Sequence, residues 1–198
     1  MTETLSKLSS EQDSNASQCN QDRFRDILRL SAICGMSVGA LRIVSIIIPY
    51  VPENMWLETL YFVIDLGFLI SLIGFLLFVS SKISVIGLLG GILAFAGVSS
   101  IVGPDTIMFE LDWYQIGSAI FVLGLAILGI ELVRRHLFLA TGAFWIASAI
   151  SGTVSVIFDS PLFFQFAGFF VGTGFIFAGF GIQKALSDDM VVLTHDEK

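Results

Sequence analysis

Residues 57–79 read LETLYFVIDLGFLISLIGFLLFV, and Glu58 and Asp65 are the only charged side chains among these 23 residues. About 20 apolar residues in a helix span the roughly 30 Å hydrocarbon core of a bilayer. The run must be helical in lipid, because a lone strand would leave its backbone N–H and C=O groups without partners. It therefore predicts a transmembrane helix.

The rest of the chain repeats this apolar pattern. The 198 residues are 55% hydrophobic and only 14% charged, whereas a soluble domain carries about 25% charged residues. This composition excludes a disordered protein, a nucleic-acid-binding protein and an ordinary water-soluble domain. We predict an all-α membrane protein whose six transmembrane helices occupy residues 27–185. The other five runs cover residues 28–49, 83–103, 113–134, 137–158 and 162–184.

Polar tails flank the apolar region on both sides. Residues 1–26 contain no short apolar core followed by a cleavage site, so they do not resemble a signal peptide. Their polar composition predicts a disordered tail. Residues 186–198 are expected to form a second, acidic tail.

The connectors between the runs alternate in charge. Positive residues that flank membrane helices mark the cytoplasmic side, so we predict that both tails are cytoplasmic and that three acidic turns face outward. A bacterial inner membrane is the expected location. Aromatic residues fall at the predicted outer boundaries, where amphipathic rings prefer to lie. The basic residues of the inner connectors are Arg23, Arg25, Arg29, Lys82, Arg134, Arg135 and Lys184. The acidic residues of the outer connectors are Glu53, Glu58, Asp105, Glu110, Asp112 and Asp159. The aromatic residues at the outer boundaries are Tyr50, Trp56, Tyr61, Trp113 and Tyr114.

The chain repeats weakly at a period of about 51 residues. The repeating unit is a helix, an acidic turn with proline, a second helix and a basic stop, which predicts three helical hairpins. Small residues let membrane helices approach closely, either within one chain or across a dimer interface. Contact within the chain is the favoured interpretation. The glycine pairs of the even-numbered runs are Gly67 with Gly74, Gly117 with Gly124 and Gly168 with Gly174.

Residues 91–104 read GILAFAGVSSIVGP and are followed by Gly117 and Gly124. Together with the basic start and the proline-containing outer turns, this segment resembles the HdeD family of small bacterial membrane proteins. The resemblance covers residues 28–184. It implies a role linked to acid-stress resistance, and it implies no catalytic residue.

Two charged residues, Arg42 and Asp65, lie deep inside the first two apolar runs. At 1.5 Å rise per residue, each lies roughly 10–12 Å from the outer boundary, so a direct salt bridge across the first hairpin is geometrically natural. Ionisable residues inside a membrane are candidate functional sites. Arg42 suits an anionic head group or substrate, and Asp65 suits a proton. The alternative is a salt bridge that only orders the hairpin.

The other polar residues give weaker indications. Glu131 lies three and four residues before Arg134 and Arg135, a spacing typical of a surface salt bridge. The two cysteines provide no disulfide framework. Both histidines lie outside the apolar runs, which excludes a membrane haem held by paired histidines. The sequence contains no His-Glu-x-x-His or Walker motif, so we expect no enzyme activity, no cofactor and no metal.

Three functions remain open at this point. The favoured one is a non-enzymatic small integral membrane protein, a stress-related accessory or scaffold that assembles with a second copy or another membrane protein through glycine-rich helix faces. A small transporter or channel with a polar site at Arg42 and Asp65 is one alternative. An accessory subunit of a larger membrane complex is the other. A closed, dry bundle favours the first and third, whereas a water-accessible path past Arg42 favours the second.

Overall fold

The computed structural model describes the backbone of residues 2–48, 54–102, 107–108 and 111–195, and the side chains of residues 21–48, 54–102 and 113–188. Six helices make up the fold, which confirms the predicted all-α class. A two-residue antiparallel pairing, β1 (Ile107–Met108) with β2 (Leu111–Asp112), lies between the third and fourth helices. The helices are α1 (Thr2–Ser45), α2 (Met55–Val79), α3 (Val85–Ile101), α4 (Trp113–Arg134), α5 (Leu139–Phe158) and α6 (Pro161–His195).

The helices define a multi-pass membrane protein. Five of them contain segments that are long and apolar enough to cross a bilayer, and the exposed surface of the bundle is rich in leucine, isoleucine and phenylalanine. The apolar helix α3 is shorter, at 17 residues. The five long segments are Gln21–Ser45, Met55–Val79, Trp113–Arg134, Leu139–Phe158 and Pro161–Asp188.

The backbone of the two tails differs from the expected disorder. α1 begins at Thr2 and α6 continues to His195, so the helices extend through most of the predicted tails, 1–26 and 186–198. Glu, Gln, Lys and Leu in these tails are good helix formers. A tail attached to an existing helix also avoids the cost of nucleation. The apolar part of α1 begins only at Gln21.

Three antiparallel hairpins pack side by side, as the repeat predicts. They are α1 with α2, α3 with α4, and α5 with α6, and the bundle closes through further contacts of α1 with α6 and of α4 with α5. Gly74, Gly124 and Gly174 lie at matching positions of the repeat. Each one packs against the first helix of its own hairpin.

The closest of these helix contacts joins α3 to α4. A Cβ atom on Gly124 would lie 2.7 Å from the Gly90 carbonyl oxygen and 2.7 Å from the Ala94 Cα atom. Toward the other end of the same contact, an added Cβ atom on Gly97 would lie 2.8 Å from the Gly117 carbonyl oxygen. The two backbones therefore touch along much of α3, which anchors this short helix to a longer one.

The glycine faces are occupied inside the chain. Gly39 of α1 and Gly172 of α6 lie against each other's carbonyl oxygens, and Gly129 and Gly142 do the same across α4 and α5. With the exception of Gly152, every described glycine would bring an added Cβ atom within 3.2 Å of another part of the chain. The prediction that these glycines serve contacts within one chain is confirmed.

The middle of the bundle is filled by five aromatic side chains, here called the aromatic core. They come from α2, α4, α5 and α6, and each is at most 5% exposed. Neighbouring ring centroids lie between 4.5 Å and 6.3 Å apart, the range of favourable aromatic contacts. These ring contacts link α2, α4, α5 and α6 inside the bundle. The aromatic core consists of Phe68, Phe75, Phe121, Trp145 and Phe175.

Candidate functional site

The two ends of the bundle differ in charge. The turns that join α1 to α2, α3 to α4 and α5 to α6 lie at one end, which we call the acidic end because its connectors carry only acidic charges. The joints between α2 and α3 and between α4 and α5 lie at the other, basic end. Each end holds one group of polar side chains inside or beside the helices.

At the acidic end, Arg42 lies in the last turn of α1. The helix ends at Ser45, and residues 46–48 continue as a tighter turn in which each N–H donates to the carbonyl oxygen three residues before it. Arg42 is therefore closer to the end of its helix than the predicted run to residue 49 implies. A cation in the last turn of a helix interacts favourably with the helix dipole.

The Arg42 side chain reaches both neighbouring helices. Its guanidinium carbon lies 5.7 Å from the centre of the Tyr61 ring on α2, within range of a cation–π interaction. A Cβ atom on Gly168 of α6 would lie 3.2 Å from Nε and 3.3 Å from Nη2. Glycine at position 168 thus leaves room for the guanidinium between α2 and α6.

Asp65 lies on the buried face of α2 and is only 7% exposed. It precedes Phe68 of the aromatic core by about one turn, toward the acidic end. Val38 of α1 faces Gly67 of α2. Arg42 follows Val38 by four residues, so the antiparallel register places it level with residue 63, between Tyr61 and Asp65. The structure therefore brings Arg42 and Asp65 to similar depths on adjacent helices, and their direct salt bridge stays a prediction.

At the basic end, Glu131 of α4 contacts both the residues that end α4 and the start of α3. Its Oε2 lies 2.8 Å from Arg134 Nη2, and its Oε1 lies 3.0 Å from Arg135 Nε. The predicted pairing with both arginines is confirmed, but the prediction that it lies on the surface is wrong. Glu131 is 3% exposed, whereas the side chains of Arg134 and Arg135 are 60% and 48% exposed.

The burial of Glu131 is explained by the start of α3. The Ser84 N–H donates to Glu131 Oε1 at 3.0 Å, and the Ser84 side chain caps α3 by accepting from the Gly87 N–H. A Cβ atom on Gly87 would lie 2.6 Å from Glu131 Cγ, so glycine lets the carboxylate reach the helix N-terminus. A carboxylate at this position is stabilised by the helix dipole.

Sequence reasoning did not predict the Ser84 and Gly87 partners. They lie 47 and 44 residues from Glu131 along the chain, and only the packing of α3 on α4 brings them together. The local signal was Ser84, a favoured N-cap residue directly before an apolar helix. That signal predicts the start of α3 but not the distant carboxylate.

We expect Glu131→Gln to lower the unfolding temperature of the purified protein by several degrees in a thermal-unfolding measurement in detergent. The neutral amide would bind the Ser84 N–H and the two arginines less strongly than the carboxylate does, because charge-assisted hydrogen bonds are about twice as strong as neutral ones. Glu58→Gln is the matched control, since Glu58 is exposed in the first turn of α2. Equal effects of the two substitutions would show that Glu131 does not tie the joints together.

The described residues contain no group of three or more His, Cys, Asp or Glu side chains suited to a metal. Residues 35–39 read GMSVG and match the letters of a serine nucleophile motif, which requires a sharp strand-to-helix turn. Here they lie within α1, and Gly35 and Gly39 pack against other helices. The pattern is therefore a packing motif.

Comparisons with protein-family models, with curated proteins and with solved structures find no match. The fold and the contacts define the class, a helical multi-pass membrane protein. The resemblance to the HdeD family stays a prediction from the sequence.

Proposed function

We propose that this protein is a non-enzymatic accessory or scaffold protein of the membrane, with the stress-related role that the HdeD resemblance implies. The observation that supports this proposal is the aromatic core, which fills the middle of the bundle. A transport pathway needs a polar or water-filled route between its two ends. Fully buried Phe75, Trp145 and Phe175 occupy the interior between Asp65 and the basic end.

Reconstitution into liposomes tests this function directly. The purified protein should produce no flux of protons, anions or small metabolites above that of empty liposomes, under either direction of gradient. Purification from native membranes in mild detergent should retain one or more specific membrane-protein partners. Robust, saturable flux, or isolation without any partner or second copy, would contradict the scaffold proposal.

The orientation of the protein follows from its charges in this proposal. The basic end would face the cytoplasm of a bacterial inner membrane, because positive residues are retained on that side. A cysteine that replaces Asp105, in a variant without Cys19 and Cys34, would then react with a membrane-impermeant maleimide added to intact cells. If the cysteine is labelled only after cell lysis, the basic end faces outward and the proposed orientation is wrong.

A partner would meet the outer helix faces rather than the glycine faces. The described glycines are engaged within the chain, whereas much of the phenylalanine-rich last hairpin is exposed to lipid. Phenylalanine side chains supply large apolar contact areas. An accessory role in a larger complex, or a homo-oligomer, would therefore use this face. The exposed rings include Phe158, Phe163, Phe164, Phe166, Phe169, Phe177 and Phe180.

A small transporter is the second candidate, and the burial of Asp65 at the level of Arg42 favours it. We expect the double variant Arg42→Leu with Asp65→Leu to insert and fold, as measured by monodisperse gel filtration and thermal unfolding, and to retain its partners. The two changes remove opposite charges together, so neither is left alone in lipid. If the variant folds normally but loses the cellular phenotype of the wild type, the polar pair is a functional site.

A further inference from the structure

The two joints at the basic end lie close together, linked through residues at the ends of α2 and α4. Lys82, in the joint between α2 and α3, lies with its Nζ 4.8 Å from the centre of the Phe78 ring. Phe78 packs edge-on against Phe138, which lies in the joint between α4 and α5, with ring centroids 5.9 Å apart. The hydrogen bond from Ser84 to Glu131 connects the same two joints at 3.0 Å.

Two cations contact one buried carboxylate here, and a third lies in the neighbouring joint. Arg134 and Arg135 follow Glu131 by one turn, and Lys82 lies two residues before Ser84, whose N–H binds the same carboxylate. We call Lys82, Arg134 and Arg135 the basic patch. Glu131 is the only acidic residue among residues 76–90 and 127–142. One negative charge against three positive ones leaves a net charge of about +2.

Glu131 leaves most donors of the basic patch available. It accepts from Nη2 of Arg134 and from Nε of Arg135, whereas each guanidinium carries five N–H donors. The three cationic side chains are exposed. The carboxylate therefore orients the two arginines without neutralising the patch, and the remaining donors suit the oxygens of a phosphate group.

We propose that the basic patch binds the phosphate head group of an anionic phospholipid. A lipid, rather than a soluble phosphate, is favoured by the apolar side chains that lie next to the cations. Val85 and Ile86 at the start of α3 and Leu139 at the start of α5 are exposed apolar side chains, directly adjoining the joints on the membrane side. A head group on the patch would place its acyl chains along these residues, which a soluble phosphate cannot use.

Native mass spectrometry of the detergent-solubilised protein, titrated with phosphatidylglycerol, tests this site. The wild type should bind phosphatidylglycerol at least tenfold more tightly than phosphatidylcholine. The double variant Lys82→Gln with Arg134→Gln should raise the apparent dissociation constant for phosphatidylglycerol about thirtyfold, because each cation near an anionic surface contributes roughly fivefold. Arg135 is left in place so that Glu131 keeps a charged partner.

The control variant Arg23→Gln with Arg25→Gln also removes two cations near the same end, but from α1, which packs on α2 and α6. It should change the dissociation constant about twofold or less. Lys82→Gln alone, at an exposed residue, should weaken binding about fivefold. It provides the test if the double variant fails to fold, as judged by thermal unfolding.

Three results would overturn the proposal. One is equal weakening by the control pair, which would indicate attraction by overall charge alone. Another is equal binding of phosphatidylglycerol and phosphatidylcholine. The third is displacement of phosphatidylglycerol by millimolar inorganic phosphate at matched ionic strength, which would assign the patch to a soluble anion.

Discussion

Gly124→Ala is expected to destabilise the protein by about 1–3 kcal/mol, the usual cost of overpacking a tight interior. At 2–4 °C per kcal/mol for a chain of this size, the unfolding temperature should fall by roughly 5 °C. The added methyl group would press on the Ala94 backbone and would lie 2.7 Å from the Gly90 carbonyl oxygen. Because these obstacles are backbone atoms, a rotamer change cannot relieve the contact, and α3 must move away from α4.

Gly152→Ala is the matched control for this measurement. Gly152 also lies within a membrane helix, α5, but an added Cβ atom would have its nearest neighbour, the Ala167 Cβ atom, at 3.9 Å. That is an ordinary van der Waals distance, so the stability should stay within about 0.5 kcal/mol of the wild type. Equal losses in the two variants would mean that helix-backbone effects, rather than the contact between α3 and α4, set the cost at Gly124.

The membrane spans could be predicted closely because they depend on local composition alone. The runs at 57–79 and 113–134 differ from α2 (Met55–Val79) and α4 (Trp113–Arg134) by at most two residues at either end. The end of α1 was less predictable. Apolar residues continue past Ser45, but Ile48 precedes Pro49, and a residue before proline is disfavoured in the helical conformation.

The polar contacts were less predictable, because they depend on how the helices pack. The spacing of Glu131 from its arginines reports only on neighbours along α4. Its burial depends on α3, whose N-terminus approaches because Gly87 lacks a side chain. Similarly, the local sequence predicts the position of Arg42 on α1, but it does not predict the space that Gly168 of α6 provides for the guanidinium.

The aromatic core could not be separated by sequence from the rings that face lipid. In a soluble protein, an apolar stripe on a polar helix marks the buried face. Here both the interior and the lipid are apolar. Phe175 is fully buried and Phe177 is exposed, yet both are phenylalanines in the same apolar run, so the sequence does not distinguish them. Shape, rather than polarity, selects the buried rings.

Trp145→Ala is expected to cost about 3–5 kcal/mol, the range for removing a large buried aromatic side chain. Trp145 is fully buried, and its ring centroid lies 5.3 Å from that of Phe75 and 5.4 Å from that of Phe175. Its removal would leave a cavity among rings from α2 and α6. At 2–4 °C per kcal/mol, thermal unfolding in detergent should show a fall of about 6–20 °C.

Trp145→Phe separates the packing of this ring from its polarity. The Trp145 Nε1 is buried and has no hydrogen-bond partner among the described residues, and an unsatisfied buried donor costs about 1–3 kcal/mol. Phenylalanine removes that donor but fills less space, so the two effects oppose each other and the net change should be below about 1.5 kcal/mol. A loss as large as that of Trp145→Ala would show that phenylalanine cannot fill the space that the indole occupies. A small loss in both variants would mean that the aromatic core does not hold the bundle closed, and the principal support for a non-transporting scaffold would be lost.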